Sequence, residues 1–488
     1  MGRPFDNSYA RDLPGLYMAW QPQAAPAPRW LRFNTALARE LGLDADRLAG
    51  DEGLAVFAGR ALPDGAQPLA QAYAGHQFGG YSPQLGDGRA LLLGEVVDPQ
   101  GRRHDIAFKG SGPTPFSRGG DGKAAVGPVL REYLISEAMH ALGIPTTRTL
   151  AAVATGETIR RDRPLPGAVL TRTAASHVRV GTFQFFAARH DTDSLQQLAH
   201  HVIARHYPDV AHDPQPALAL LQAVQERQAA LIARWMGVGF IHGVMNTDNM
   251  TLSGETIDYG PCAFMEAHDP DTVFSSIDHH GRYAYGNQPG IAQWNLARLA
   301  EALLPLLPLE PDDAVAQATA IINDYPTVYQ RHWLAVLRQK LGLTTPGDDT
   351  ADLALGHDYL QLLQTWQVDH TLGFRHLSGV LRGQPDALLA LFGSGREAVQ
   401  AWLARWQQRL GPAHDAADQM DRVNPWVIPR NHLVEEALDA ATDRQDLAPF
   451  EALLGAITRP RDNAHQGSRW ALPATREQTA GYRTFCGT

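Results

Sequence analysis

The chain has 488 residues, 44% of them hydrophobic and 19% charged, a globular composition with length enough for two or three packed domains. A formal net charge of −10 and an isoelectric point near 6.0 remove the general attraction for phosphate backbones and anionic lipid, so neither nucleic acid nor a membrane surface is an expected partner. With only Cys262 and Cys486 present, no disulfide framework or thiolate metal cluster can hold the fold together.

The first ten residues already carry Arg3, Asp6 and Asn7 with no apolar run behind them, which is not the pattern of a secretory signal; a cytoplasmic location is expected. The segment 22–28, Pro-Gln-Ala-Ala-Pro-Ala-Pro, reads as a loop, and a helical pattern over 31–41 follows, terminated by Gly42. Between Gln77 and Gly127 glycine recurs, and β-rich runs at 90–97 and 105–108 predict a twisted antiparallel sheet. Pro128 then opens a helix in which Leu130, Leu134, Ala138, Ala141 and Leu142 recur until Gly143 stops it.

A second long amphipathic helix carries Ala217, Leu220, Leu221, Val224, Leu231, Ile232 and Trp235, ends near Gly237 and runs into the apolar segment 238–241. The longest apolar stretch, 296–309, contains Arg298 and Glu301 and is broken by Pro305 and Pro308, short of the roughly 18 apolar residues that a membrane span needs. Beyond about residue 290 the pattern is mostly helical, with loops at 345–349 and 411–412 and no fixed-period repeat. The last stretch, 459–488, is polar and weakly periodic, and is expected to lie as an extended tail over the body.

Two blocks carry chemistry. In the first, Gln84-Leu85-Gly86-Asp87-Gly88-Arg89 precedes one predicted strand, and Lys109 closes another, Asp105-Ile106-Ala107-Phe108-Lys109. Glycines at a strand turn let backbone N–H groups approach phosphates, and a lysine in an apolar strand needs an anionic partner. The helix after it offers Glu132 and Glu137; they lie on different faces, so only one can pair well with Lys109. In the second block, His242-Gly243-Val244-Met245-Asn246-Thr247-Asp248-Asn249 is followed by Asp258-Tyr259-Gly260. Acidic and amide oxygens at that spacing make a hard-oxygen site suited to Mg²⁺ bridging a polyphosphate. The 20 histidines include the neighbours His200-His201 and His279-His280, whose side chains diverge on a helix or strand, so no structural zinc site is expected.

A lysine in a strand, a glutamate on the next helix, His-Gly with a following Asn, and then Asp-Tyr-Gly stand in the order of the protein-kinase signatures, except that valine occupies position 244, where a kinase places its catalytic aspartate. More specifically, Phe5-Asp6-Asn7-Ser8-Tyr9, Tyr73-Ala74-Gly75-His76-Gln77-Phe78-Gly79-Gly80 and the 84–89 run resemble the selenoprotein O family. So do Asn246-Thr247-Asp248-Asn249, Asp258-Tyr259-Gly260-Pro261, Asn424-Pro425, Arg430-Asn431 and a cysteine near the C-terminus.

The resemblance implies an α+β, protein-kinase-like fold with an antiparallel-sheet N-lobe and a mainly helical C-lobe. The corresponding division is an N-terminal extension at 1–70, an N-lobe at 71–185, a C-lobe at 186–455 and a tail at 456–488. It implies a protein adenylyltransferase that binds ATP in a flipped orientation and attaches AMP to Ser, Thr or Tyr hydroxyls of proteins, with pyrophosphate released and Mg²⁺, or alternatively Mn²⁺, required. It makes Asp248 the proton acceptor, Asn249 and Asp258 the metal ligands, and Lys109, paired with Glu132, a phosphate contact. Nucleotide contacts fall to Gly86, Gly88, Arg89, Asp121, Gly122, Arg172 and Arg179. A monomer is expected, and a disulfide between Cys262 and Cys486 would tie the tail to the metal site as a redox switch. The alternatives are a kinase, which needs a base near position 244, and a non-catalytic ATP-binding scaffold.

Overall fold

The central strands are short apolar runs buried on both faces. The segments Ala90–Val97 (β6) and Arg103–Lys109 (β7) pair antiparallel, the second longer than the predicted run because Arg103, His104 and Lys109 pair with Val97, Val96 and Ala90 at its ends. In this computed structural model, which describes residues 5–412 and 415–485, they form the middle of an eight-stranded antiparallel sheet. Its other members are Tyr17–Ala19 (β1), Arg29–Phe33 (β2), Leu69–Gln71 (β3), Ala124–Ala125 (β8), Arg148–Arg160 (β9) and Pro164–Ala174 (β10). The order is β1-β3-β6-β7-β10-β9-β2, with β8 also paired to β10. A small separate hairpin is made by Gly75–Gln77 (β4) and Gly80–Ser82 (β5).

The helix expected over 31–41 is only partly present. Residues Arg29–Phe33 form β2 on the sheet edge, and the helix is confined to Thr35–Glu40, its N-terminus capped by the Asn34 side chain accepting from the Leu37 N–H at 3.1 Å. Trp30 and Phe33 pack their rings on Phe57 while Leu31 faces the opposite core; the two rings, three residues apart, share a face because the β2–β9 pairing shifts register between Trp30 and Arg32. Asp6 to Tyr9 close over β6: Ser8 Oγ and Tyr9 N donate to the buried Glu95 carboxylate at 2.5 and 2.7 Å.

Across one face of the sheet lies helix Val126–Ala141, which starts two residues before Pro128. It is buried nearly all round, so each charged residue on it needs its own partner. Arg131 donates to Glu435 and to the Cys262 carbonyl, and Glu137 takes a bidentate fork from Arg148 at 2.6 and 2.7 Å.

Helix Pro216–Val238 runs one residue past the predicted stop at Gly237 and is capped by Gly239 at φ +73°. It feeds Phe240–Ile241 (β11), which pairs with Ala263–Phe264 (β12) and pins both ends of the intervening 242–262 loop. Thereafter the chain is helical, led by the 30-residue helix Pro311–Lys340, and no helix among the described residues is long and apolar enough to cross a membrane. The tail lies on the body as expected: Thr484 Oγ1 donates to the Pro261 carbonyl at 2.6 Å, and Arg430, fully buried, joins Glu266, Asp369 and the Ala471 carbonyl.

Lys340 is an unusual core residue, its ammonium 4.2 Å from the Phe374 ring and 3.0 Å from Asn424 Oδ1. Burial, helped by Arg461, pushes its pKa down to about 7. Between about pH 7 and the ordinary 10.5 the unfolded chain binds a proton that the folded chain lacks, so stability rises with pH across that window. The melting temperature of wild type is expected to climb through this range relative to Lys340→Met; parallel curves would show the lysine to be charged in the fold.

Candidate active site

Between the sheet and the 242–262 loop opens a cleft of about 600 Å³. Gly86, Gly88, Arg89, Lys109, Asp121, Gly122, Arg172, Arg179, Asp248, Asn249 and Asp258 all line it, and Glu132 stands directly behind Lys109. The tertiary structure thus gathers residues from both chemical blocks.

At its floor is a buried ion cluster. Lys109 Nζ, at the end of β7, lies 2.7 Å from Glu132 Oε2 and 2.8 Å from Asp258 Oδ1. From β10, Arg172 donates to Glu132 Oε1 and Asp258 Oδ1, both at 2.7 Å. Glu132 is therefore the partner of Lys109, and Glu137 is not. Burial alone would raise the Asp258 pKa, but Lys109, Arg172 and Arg179 hold its carboxyl well below the usual range. Arg179, 3% exposed, sits 4.4 Å over the Tyr73 ring, and no carboxylate among the described residues lies within ion-pair distance of it. Across the whole lining, Arg89, Lys109, Arg118, Lys123, Arg161, Arg172 and Arg179 stand against Asp121, Asp248 and Asp258, with Glu132 behind, an imbalance suited to a polyanion.

Asp258 has φ +64°, a left-handed backbone unusual for a non-glycine residue, which turns its carboxylate back toward the sheet. Both cations engage its Oδ1, leaving Oδ2 toward the cleft. The Asn249 amide nitrogen is anchored to the Val244 carbonyl at 2.9 Å, so its Oδ1 is the atom left for a ligand. Among the described residues no cluster of three or more His, Cys, Asp or Glu side chains could hold a metal by itself. An amide oxygen and one carboxylate oxygen fit Mg²⁺, which completes its shell with substrate phosphates and water rather than with a protein cage.

The 242–249 loop is rigidly held. His242 stacks on Trp235 and bonds the Ile257 carbonyl at 2.8 Å, joining the two halves of the site, while Val244 is buried and supplies no acid or base. Asp248 accepts from Gln77 Nε2 at 3.2 Å through Oδ2, and its buried Oδ1 has no partner. Burial, against the attraction of Arg179, raises its pKa to about 6.

The β4–β5 hairpin is a part of the site that residue-type reasoning missed, although its sequence was conspicuous. His76 N donates to Thr247 Oγ1 at 2.7 Å, Phe78 N donates to Asn246 Oδ1 at 3.1 Å, and Gln77 reaches Asp248. A Cβ on Gly75 would come within 2.5 Å of Asp248 Oδ1, which is why glycine stands there. At Gly86, φ is +71° and a Cβ would sit 2.4 Å from the Phe116 ring, so the 84–89 turn needs glycine for both conformation and space. Asp121 occupies the rim, its carboxylate held by Arg161 at 2.8 Å. Cys262 is buried, and burial pushes its thiol up to about 12; Cys486 and the disulfide expected for it lie outside the described residues.

Removing Glu132 leaves Lys109 and Arg172 sharing the single carboxylate of Asp258. Glu132→Ala is expected to lower the unfolding free energy by about 3–5 kcal/mol, read by urea denaturation. An unchanged midpoint would mean that the cluster contributes nothing to the fold.

Comparison with known proteins agrees with this geometry. Residues 4–458 match the family described as Protein adenylyltransferase SelO. A Protein nucleotidyltransferase YdiU of Cereibacter sphaeroides is 60% identical over 485 residues, covering 99% of both chains. Its namesake in Chromobacterium violaceum is 60% identical over 481 residues, covering 98% of this chain and all of the relative, and one in Rhizobium leguminosarum bv. trifolii is 59% identical over 492 residues, covering 99% and 97%. With a cleft that gathers cations, hard oxygen donors and a shielded carboxylate, and with identity running through nearly its whole length, the chain belongs to the SelO family of protein adenylyltransferases.

Proposed function

We propose that this enzyme transfers AMP from ATP to Ser, Thr or Tyr hydroxyls of proteins and releases pyrophosphate, within a protein-kinase-like fold whose N-lobe is the sheet and whose C-lobe is the helical remainder. The observation that carries the reading is the opposition of the Lys109–Arg172–Arg179 cation group to the shielded carboxylate of Asp248 across one cleft, with the buried Val244 where a kinase keeps its base.

Arg179, free of ion pairs among the described residues, together with Lys109 and Arg172, binds the phosphate oxygens, and the backbone of the 86–88 turn approaches them closely. Arg89 and Gly122 line the same cleft and complete the nucleotide contacts. Asp121 acts there through Arg161, which it holds at the rim. Asn249 and Asp258 are the residues that would hold Mg²⁺, or Mn²⁺ in its place, and the ion would supply neutralisation of phosphate charge.

The acceptor hydroxyl meets Asp248, which takes its proton; the hydroxyl oxygen forms a bond to the α-phosphorus, and the bond from that phosphorus to the bridging oxygen breaks with its electron pair leaving on pyrophosphate. Gln77 positions the Asp248 carboxylate for this transfer. A nucleotide turned so that the α-phosphorus faces Asp248 needs no base at position 244.

The test uses ATP labelled separately at the α- and γ-phosphates, with Mg²⁺ and an unstructured acceptor protein. Retained α-label and a mass gain of one AMP residue are expected for wild type and absent in Asp258→Ala. Retained γ-label would establish a kinase instead, and ATP binding without any transfer would favour a scaffold. Asp248→Asn is expected to reduce kcat by about 10²–10⁴-fold, as loss of a general base does, with ATP affinity little changed. A kcat within about twofold of wild type would remove Asp248 from the proton-transfer role.

A further inference from the structure

Large exposed apolar side chains are few on this surface, and Phe78 and Ile277, exposed by 37% and 43%, stand together at the mouth of the nucleotide cleft. Both also line a second, adjoining groove of about 620 Å³, whose other walls include His279, His280, Arg282 and Ile291. The two cavities are thus continuous through this apolar pair.

Phe78 is held outward. Its φ is +52°, a strained backbone for an aromatic residue, and its N–H is clamped by Asn246 Oδ1 and the Tyr283 hydroxyl, both at 3.1 Å. Phe78 and Gly79, both at positive φ, are the two turn residues of the β4–β5 hairpin, so the ring stands at the hairpin tip with one side against Tyr283 and the other exposed. The neighbouring Gln77 touches Asp248, so the exposed ring is one residue away from the group that holds the proposed base.

Charge in the groove is also unspent. Arg282 has no carboxylate within ion-pair distance among the described residues, and its buried Nε has no partner. The nearby Asp278 carboxylate is occupied by the backbone N–H groups of Arg282 and Tyr283, at 2.9 and 2.8 Å. The Arg282 guanidinium instead lies 4.8 Å from the Trp294 ring, on a molecule whose formal net charge is −10. Asp278 lines the groove as well, but its carboxylate is taken up by those backbone N–H groups, so the Arg282 guanidinium and the Phe78–Ile277 pair are the features that complement an acidic and apolar ligand.

We propose that this groove docks the acceptor: an extended segment of the acceptor protein places an apolar side chain between Phe78 and Ile277 and an acidic side chain on Arg282, which brings its hydroxyl residue to Asp248. The proposal rests on the AMP-transfer reading above and adds the substrate class to it. The groove's size suits two or three side chains of a peptide, and its continuity with the cleft sets the distance from docked segment to reacting hydroxyl.

The test is α-labelled ATP with a positional library of peptides carrying one fixed serine. Wild type is expected to label best the peptides that pair an acidic and an apolar residue at fixed offsets from that serine. Arg282→Glu is expected to cut labelling of the acidic peptides by about tenfold or more and to favour basic ones, with ATP affinity unchanged. Arg282→Gln, a milder change, is expected to lose the acidic preference without inverting it, and Arg282→Lys to retain it. Equal labelling of acidic and basic peptides by wild type, or an unaltered preference in both Arg282→Glu and Arg282→Gln, overturns the proposal. Labelling of folded proteins but of no peptide overturns extended-segment docking alone, whereas ATP binding without AMP transfer to peptide or protein overturns the underlying activity too.

Discussion

The salt-bridge cluster of Lys109, Glu132, Asp258 and Arg172 is the constraint on which the rest of the architecture depends. Its members come from β7, from helix Val126–Ala141, from the loop between β11 and β12, and from β10. A charge buried here without its counter-charge would be costly, so the sheet, the helix and the loop are required to close on one another in a single register. Because the cations outnumber the carboxylates across the whole lining, the cleft that this cluster closes is also left in want of an anion.

A similar logic recurs away from the cleft. Arg148 forks onto Glu137, Arg131 ties the same helix to Glu435 and the Cys262 carbonyl, and Arg430 gathers Glu266 and Asp369 under the tail. Each is a planar donor set spanning elements distant in sequence, a use for which arginine is better suited than lysine. The Asn424 and Arg430-Asn431 motifs belong to this structural set: Asn424 receives Lys340, and Asn431 donates to the Phe264 carbonyl at the end of β12. They hold the surroundings of the 242–262 loop without lining the cleft.

The division of labour at the cleft is spatial. One wall presents fixed positive charge, and the other presents a carboxylate whose burial weakens its acidity and so improves it as a proton acceptor. The β4–β5 hairpin bridges them, with Gln77 on Asp248 and Phe78 clamped to the loop through Asn246 and Tyr283. One short hairpin thereby links the position of the Asp248 carboxylate to the exposed rim of the cleft.

Much of this was legible in the residues themselves. β6 is marked by its apolar run, the helix at 126–141 by its apolar spacing, and part of the site by glycine spacing, a lysine in an apolar strand and oxygen donors in order, because such signals depend on neighbours within a few positions, whereas Asp121, Gly122, Arg172 and Arg179 come from the family resemblance alone. Local pattern reads 31–33 as the start of a helix, but the strand Arg29–Phe33 is decided by pairing with β9, more than a hundred residues away. Spacing alone likewise left Glu132 and Glu137 as alternatives, and only the positions of Lys109, Arg172 and Arg148 assign them. The amino-acid sequence by itself determined the family, most element types and the inventory of chemical groups; the tertiary structure decided which charges pair and which, as with Arg179 and Arg282, have no carboxylate at ion-pair distance among the described residues, because electrostatic pairing depends on distance in space and not along the chain.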